Sequence, residues 1–214
     1  RPSDNPLILH ISSREELSAI VKKVPDVAER LMDAFWPGPM TLIFEKADCV
    51  PYETTGGLDT VAVRMPSHEG ARALIRAAGV PVAAPSANTS GRPSPTTADH
   101  VREDLDGKID MIIDGGAVGI GLESTIIDVT EEVPVILRPG HITKKQIESV
   151  TGQAKMDPGL AGNNPEFRPK APGMKYRHYA PKADMTIYEG TGDEVVAAIC
   201  REAEKYPAEK VGIL

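Results

Sequence analysis

The stretch that decides the fold of this 214-residue chain is residues 80–97, VPVAAPSANTSGRPSPTT. Its apolar, β-branched opening predicts a buried strand over residues 80–84. Small polar residues then predict a loop, after which Thr96 or Thr97 can cap a helix over about Ala98–Leu105. A strand, a polar loop and a helix start in this order commonly bind an anion, because the N–H groups of the first helical turn point at it. A Pro- and Ser-rich surface loop without a ligand fits the composition equally well.

The segments on either side of this stretch predict a mixed α/β fold. Short apolar runs predict strands at residues 7–11, 40–44, 60–65, 111–114, 125–129 and 133–138. Capped helical patterns predict helices from residue 13 to about 23, at 26–35, at 69–78 and from 143 to 150. Strands and helices do not alternate strictly, which favours a mixed, twisted open sheet with helices packed on it over a purely doubly wound fold.

The sequence changes character after residue 150. Residues 151–182 are rich in Gly, Pro, Asn and Lys and predict a linker or a functional lid. A strand at 185–188, a helix at 193–206 and a strand at 211–214 then predict one Rossmann-like βαβ unit. We therefore predict a larger α/β domain at 1–150, the linker at 151–182, and the start of a small α/β domain at 183–214. A lone βαβ unit cannot bury both faces of its strands, so we expect this second domain to be truncated.

Composition argues against several classes of protein. The formal net charge of −7 is unlike that of a generally basic protein that coats nucleic acid. Cys49 and Cys200 lie far apart without partner spacing, so the sequence predicts neither a disulfide framework nor a zinc site. No apolar run is long enough to span a bilayer. We expect a cytoplasmic protein without a membrane partner.

Four polar clusters lie at the ends of predicted strands, where the loops of open sheets converge on ligands. They consist of Arg1, Ser3, Asn5 and His10, of Thr60 and Arg64, of Ser86 and Asn88, and of Ser124 and Arg138. Arginines and hydroxyls brought together suit an anionic ligand with a small polar group, such as a nucleotide beside an amino acid. Arg64, on a half-buried strand, needs a partner or a ligand because burying it alone is costly. Taken singly, each arginine is better explained by a surface salt bridge than by a ligand.

Other kinds of chemistry find little support. Ser86 stands in PSAN rather than in a Gly-x-Ser-x-Gly turn and has no evident His/Asp pair, so we predict no protein nucleophile. His178 has no second metal ligand at suitable spacing, and we predict no protein metal site. His10, on an apolar strand, is more typical of a core histidine than of an acid or base. The sequence contains neither a Walker loop nor a Gly-x-Gly-x-x-Gly after a strand.

Seven motifs carry a resemblance to a known family. They are RPSDNPLILHI (1–11), WPGPMTLIF (36–44), TVAVRMP (60–66), PVAAPSANTSGRPSPT (81–96), GLESTIIDV (121–129), ILRPG (136–140) and KYRHYAP (175–181). In this order they resemble the YrdC-like threonylcarbamoyl-AMP synthases, in the long form with a linker and a C-terminal domain. The resemblance implies a YrdC-like fold and a nucleotidyltransferase that makes L-threonylcarbamoyl-adenylate and pyrophosphate from L-threonine, bicarbonate and ATP. The product would serve the threonylcarbamoyladenosine modification of tRNA.

The resemblance also implies roles for individual residues. It implies ATP contacts for Arg1, Asn5, Thr60, Asn88, Thr96, Arg138 and Tyr179, and threonine contacts for His10, Arg64, Ser86 and Ser124. Tyr179 would close over the nucleotide from the linker, and Arg64 would pair with the amino-acid carboxylate. Magnesium is expected on the ATP phosphates, held by phosphate oxygens and water, because no carboxylate cluster suggests a dedicated site. The expected partners are the tRNA-modifying machinery, with direct contact to tRNA left open.

The chain departs from the family pattern at its start. A Thr-Glu-Thr-Val-Tyr-Gly-Leu-like stretch, and a lysine two residues before the arginine matched by Arg1, are not present. We therefore expect the 214-residue chain to be an internal portion of a longer enzyme and to be inactive or severely impaired. Two other interpretations stay open. One is a non-catalytic RNA-binding module with a basic face, which the acidic total charge argues against; the other is a carbamoyl-transfer domain, which KYRHYAP argues against.

Overall fold

A seven-stranded mixed sheet organises the part of the chain that the computed structural model describes, residues 5–161 and 184–212. Its strands are β1 (Ile8–His10), β2 (Met40–Glu45), β3 (Thr60–Arg64), β4 (Val82–Ala84), β5 (Thr125–Asp128), β6 (Val135–Arg138) and β7 (Lys155–Met156). They lie in the order β4-β1-β3-β2-β5-β6-β7. The pairs β1–β3, β2–β5 and β6–β7 are parallel, and β1–β4, β2–β3 and β5–β6 are antiparallel. The predicted mixed α/β sheet is confirmed.

The helices connect these strands. They are α1 (Leu17–Ile20), α2 (Asp26–Phe35), α3 (Tyr52–Thr55), α4 (Glu69–Ala78), α5 (Ala98–Leu105), α6 (Lys144–Thr151) and α7 (Gly192–Ala203), with short 3-10 helices at Arg14–Glu16, Pro158–Ala161 and Ala208–Lys210. The chain divides into two compact units, Arg1–Ala180 and Pro181–Leu214, and α7 belongs to the second. The predicted borders at residues 150 and 182 stay predictions. Within residues 5–161 and 184–212, no helix combines the length and the apolar character needed to cross a membrane.

One face of the sheet packs against helices and holds the larger hydrophobic core. Side chains alternate between the two faces of a strand, and Leu9, Leu42 and Val63 point to this side, which we call the helix-covered face. Leu31 and Met32 of α2 pack here and are 0% and 1% exposed. Burying each of them stabilises the fold by about 1.5–3 kcal/mol. Residues of α1 and α6 join the same core.

The opposite side of the sheet, which we call the second face, holds a smaller apolar cluster. Its buried members are Ile8, Ile43, Ala62, Ile126 and Leu137. Residues two apart on a strand share a face, so His10, Thr60 and Arg64 also belong to the second face. The register of β5 and β6 shifts between Ile126 and Ile127, and Ile126 lies opposite Arg138. Polar side chains therefore surround a small apolar centre on this face.

Locally encoded helix starts agree with the sequence predictions. The carboxylate of Glu16 accepts hydrogen bonds from the backbone N–H groups of Ser12 and Ser13, at 3.0 and 3.1 Å. At the start of α6, Thr143 and Gln146 form a reciprocal capping box. The first of these helices is shorter than predicted. It ends at Ile20 because Val21 adopts an extended conformation and forms an antiparallel β-bridge with Lys46, which follows β2.

The strand predicted at residues 80–84 is present but is not buried. β4 pairs only with β1 and forms the edge of the described sheet. Val80 is 59% exposed, and Ala83 is exposed as well. An apolar β-branched run indicates strand propensity, but its burial depends on which neighbours the topology supplies.

Two predicted strands are absent from the described residues. Met111 and Ile113 are 75% and 68% exposed, and Met185 and Ile187 are 66% and 78% exposed; neither segment is a strand. A strand forms only where a neighbour supplies hydrogen-bond partners, and no described strand lies beside either segment. Val211 is not in a strand either, while residues 213–214 lie outside the described range. Conversely, α3 and β7 form in segments that the sequence analysis treated as loop and linker.

Gly140 is a position where the fold requires glycine. A Cβ atom there would lie 2.4 Å from the Glu123 carbonyl oxygen and 2.6 Å from the Thr125 nitrogen. We expect G140A to lower the free energy of unfolding by about 1–3 kcal/mol, because the clash is with backbone that cannot rotate away. Urea denaturation measures this value. G119A is the matched control, since nothing lies within 4 Å of its Cβ position; equal stabilities of the two variants would contradict the prediction.

Candidate functional site

The strand register brings polar residues from several parts of the chain to one end of the second face. His10 of β1 lies opposite Arg64, the last residue of β3. Thr41 of β2 lies opposite Ile126 of β5, and Ile126 lies opposite Arg138 of β6. We call the end formed by His10, Thr41, Arg64, Ser124 and Arg138 the arginine end of the sheet. It assembles three of the four predicted threonine contacts, His10, Arg64 and Ser124, and one predicted ATP contact, Arg138.

Arg64 is half-buried at the end of β3. Its Nε donates a hydrogen bond to the carbonyl oxygen of Gly38 at 3.0 Å. Burial first, and then the positive charge of Arg138, lower the pKa of the Arg64 guanidinium, which still stays protonated. Among the described residues, no carboxylate lies within ion-pair distance of Arg64. Two neighbouring cations at a partly buried position create a positive potential that favours an anion.

Arg138 is held against the segment that leads into β5. Its Nε and Nη2 donate to the Ser124 carbonyl oxygen at 3.1 and 2.9 Å, and Nη2 also donates to the Ser124 hydroxyl at 3.0 Å. The Ser124 hydroxyl lies 2.8 Å from the hydroxyl of Thr41. Ser124 and Thr41 are 4% and 0% exposed. The guanidinium and the two hydroxyls therefore form one fixed hydrogen-bonded group.

Thr41 is a site residue that the sequence analysis missed. It stands in the strand sequence MTLIF (40–44), in which all the remaining residues are apolar. A hydroxyl buried in such a strand needs a hydrogen-bond partner. A single threonine in an otherwise apolar strand could therefore have indicated a buried polar contact at this position. Its partner, Ser124, is 83 positions away in sequence, so the sequence alone does not identify it.

His10 is kept neutral at the arginine end. Burial first, and then the positive charge of Arg64, lower its pKa from 6.5 to about 4, while hydrogen bonds with the backbone of Val82 and Ile8 oppose the shift in part. Its Nδ1 lies 3.1 Å from the Ile8 carbonyl oxygen. This contact has the geometry of a ring N–H that donates to the Ile8 carbonyl. The positive charge of the site therefore comes from the arginines.

The remaining predicted residues lie at the opposite end of the strands. Thr60 begins β3, which at about 3.3 Å per residue puts it roughly 13 Å from Arg64 along the strand. β4 runs antiparallel to β1 with Ala84 opposite Ile8, so the loop that follows β4 starts at the Thr60 end. Ser86 and Asn88 belong to this loop, and the buried Asn5 immediately precedes β1. We call this the loop end.

This arrangement differs from the predicted grouping in two places. Ser86, predicted beside His10 and Arg64, lies instead at the loop end, and it is exposed. Arg138, predicted to contact ATP, lies with the residues predicted for threonine. The physical reason for both is strand direction, because β4 and β6 each run antiparallel to a neighbouring strand. The individual ligand contacts stay predictions.

Thr96, another predicted ATP contact, lies next to the start of α5. The hydroxyl of Thr96 is 3.2 Å from His100 Nδ1, and the helix is capped by Thr97, whose hydroxyl accepts the His100 N–H at 3.4 Å. Protein groups thus occupy part of this helix start. Arg1 and Tyr179 lie outside the described residues.

A cavity of about 480 Å³ lies away from these residues. Asp128, Val135, Lys144 and Lys155 are among its lining residues, and none of the predicted site residues lines it. In the described ranges, no three His, Cys, Asp or Glu side chains are grouped so that they could hold a metal ion. Magnesium on the ATP phosphates thus stays a prediction.

The lowered pKa of His10 predicts a pH dependence of stability. The unfolded histidine, with a pKa near 6.5, takes up a proton as the pH falls, whereas the folded one resists protonation down to about 4. Relative to H10Q, the wild type should therefore lose up to roughly 3 kcal/mol of unfolding free energy between pH 6.5 and 4. Chemical denaturation of both proteins across this range measures the difference, which should be constant above pH 7. Parallel curves throughout would contradict the pKa shift.

Comparison with known families identifies the chain's relatives. Residues 1–140 match the family model Sua5_yciO_yrdC, described as Telomere recombination. Residues 142–214 match the model described as Threonylcarbamoyl-AMP synthase, C-terminal domain. The threonylcarbamoyl-AMP synthases of Pyrococcus abyssi and Bacillus subtilis are 53% and 50% identical over 100% of this chain. The chain spans 63% and 61% of their lengths.

Solved structures agree with the sequence comparison. The crystal structure of P. abyssi Sua5 complexed with L-threonine matches 98% of this chain and 61% of that one, with a TM-score of 0.91 and 53% identity. The structure of E. coli YciO matches 68% of this chain and 71% of that one, with a TM-score of 0.61 and 30% identity. The resemblance seen in the seven motifs is thereby confirmed, and the chain belongs to the Sua5, YciO and YrdC family.

Proposed function

We propose that this chain carries the site at which L-threonine, bicarbonate and ATP are converted to L-threonylcarbamoyl-adenylate and pyrophosphate. The observation that supports it most directly is the arginine end of the sheet. There, Arg64 has no carboxylate partner among the described residues and lies beside Arg138 and the fixed hydroxyl of Ser124. Such a group suits a small amino acid that carries a carboxylate and a hydroxyl. A relative of 53% identity was crystallised with L-threonine.

In this proposal the arginine end binds threonine. Arg64 pairs with the carboxylate, since its Nε is already fixed by Gly38 and its terminal nitrogens are left to face the ligand. Ser124 offers its hydroxyl to a polar group of the ligand while Arg138 and Thr41 hold it in place. Neutral His10 contributes a hydrogen bond without adding charge. A ligand carboxylate here would neutralise the repulsion between the two guanidinium groups.

The proposed reaction needs positive charge and positioning more than it needs a protein nucleophile. The threonine nitrogen bonds to the carbon of bicarbonate with loss of water, and an oxygen of the resulting carbamate attacks the α-phosphorus of ATP. The bond between the α-phosphorus and the bridging oxygen breaks, and pyrophosphate leaves. Two anions are joined in this step, so cations that offset the developing negative charge lower its barrier. Holding three substrates together supplies a further part of the acceleration.

The nucleotide is assigned to the loop end. Thr60 begins β3 at this end, the buried Asn5 precedes β1, and Asn88 belongs to the loop that follows β4. An adenine nucleotide that extends along the second face from the loop end would present its phosphates toward Arg138, while Arg64 is left to the threonine carboxylate. Magnesium would accompany the phosphates and be held by phosphate oxygens and water. The product would pass to tRNA-modifying machinery, in keeping with the function expected from the family.

Charge reversal at Arg64 tests the threonine site. We expect R64E to abolish L-threonine binding, measured by calorimetric titration, and to leave ATP binding within about threefold of the wild type. R30E is the matched control, because Arg30 is an exposed residue of α2, which packs on the helix-covered face. L-Valine, which replaces the threonine hydroxyl with a methyl group, should bind at least tenfold more weakly than L-threonine. Unchanged threonine binding in R64E, or equal loss of ATP and threonine, would contradict the assignment.

Catalysis is tested separately from binding. ATP–pyrophosphate exchange that requires both threonine and bicarbonate measures the proposed reaction on the 214-residue chain. Exchange that depends on both threonine and bicarbonate would support the proposed function. Salt-sensitive binding of tRNA, with no binding of ATP or threonine, would instead favour the RNA-binding module.

A further inference from the structure

The loop that follows β4 is closed on itself by one side chain. Asn88 Nδ2 donates hydrogen bonds to the carbonyl oxygens of Thr89 and Arg92, both at 2.9 Å. The Arg92 N–H donates to the Thr89 carbonyl at 3.1 Å, and Gly91 adopts a φ of 92° that favours glycine. Both amide hydrogens of Asn88 are therefore used within the loop. Its carboxamide orientation is fixed, because the reversed orientation would place an oxygen against two carbonyl oxygens.

The Asn88 carboxamide oxygen has no hydrogen-bond partner in the part of the chain that the structure describes. Oδ1 is shielded from solvent and accepts no hydrogen bond from any described residue. A shielded acceptor without a donor costs roughly 1–3 kcal/mol. Since the amide hydrogens are occupied, the side chain can offer a ligand only an acceptor. It cannot pair with phosphate oxygens, which are acceptors themselves, and it suits an O–H or N–H donor.

Asp104 of α5 holds this loop from outside. Its side chain is 5% exposed. Oδ2 accepts the Thr89 N–H at 2.9 Å, and Oδ1 forms an ion pair with the Arg92 guanidinium. The carbonyl oxygen of Asp104 accepts the Thr89 hydroxyl at 3.4 Å and the Lys108 ammonium at 3.0 Å. One buried carboxylate thus fixes both ends of the turn whose carbonyls orient Asn88.

We propose that Asp104 is a positioning residue, which holds the Thr89–Arg92 turn so that Asn88 presents its carboxamide oxygen to a hydrogen-bond donor of the nucleoside part of the bound nucleotide. This inference rests on the proposed function, because it takes the nucleotide at the loop end as the ligand. The shared chemistry of the sugar hydroxyls and the base amino group is that each donates a hydrogen bond. The triphosphate offers no such donor at neutral pH.

Calorimetry with two probes tests the inference. ATP carries the nucleoside donors, and inorganic tripolyphosphate lacks them. We expect D104A to raise the Kd for ATP about tenfold, equivalent to about 1.4 kcal/mol, and to leave the Kd for tripolyphosphate unchanged. D104N, which keeps an acceptor for the Thr89 N–H, should fall between D104A and the wild type. D99A is the matched control, because Asp99 forms an exposed ion pair with Arg102 on the same helix.

A double-mutant cycle separates positioning from a merely structural role. N88A should weaken ATP binding as much as D104A, and N88A/D104A should show no further loss, because both changes remove the same hydrogen bond. Additive losses, an unchanged ATP Kd in D104A, or an equal loss for tripolyphosphate would each overturn the proposal. If D104A does not fold, D104N and N88A provide the same comparison. A chain that binds ATP but not threonine would refute the proposed function and leave this inference standing.

Discussion

The electrostatic repulsion between two arginines is the constraint on which the proposed site depends. Arg64 and Arg138 come from strands that are three places apart in the sheet order, β3-β2-β5-β6, yet each feels the charge of the other. Favourable apolar packing on both faces of the sheet offsets the unfavourable free energy of that repulsion. The fold thereby holds in advance a positive potential that a flexible chain would relax by separating the charges.

The two ends of the second face divide the chemistry between them. The arginine end has charge and fixed hydroxyls, and the loop end has a carboxamide whose orientation is fixed. A substrate that is anionic at one end and carries hydrogen-bond donors at the other matches this polarity. The helix-covered face has a different task, since its leucines, valines and methionines anchor α2 and α6 and keep the strands in register.

The parts of the structure that follow from neighbouring residues were predictable from the sequence. The capping boxes at Ser13 and Thr143 and the mixed sheet belong to this group. The parts that require a distant partner were not predictable. Residues 111–114 begin with a short apolar run but pair with no strand among the described residues, and β4 has strand propensity without burial.

The candidate site shows the same limit. Motifs identified Arg64, Ser124 and Arg138, which the structure brings to one end of the sheet. They did not show that Ser86 lies at the other end, because strand direction is a property of the whole sheet. Nor did they identify Thr41, because its hydroxyl belongs to the site only through its hydrogen bond with the distant Ser124.

The register shift between β5 and β6 determines on which side of the sheet Arg138 lies. Ile127 lies opposite Ile136, so a regular ladder would place Ile126 opposite Leu137 and turn Arg138 toward the helices. One additional residue in β6 instead lets Leu137 and Arg138 both occupy the second face, as a β-bulge does when it redirects a side chain. The bulge thus keeps on the second face a guanidinium that a regular ladder would turn into the apolar core of the helix-covered face.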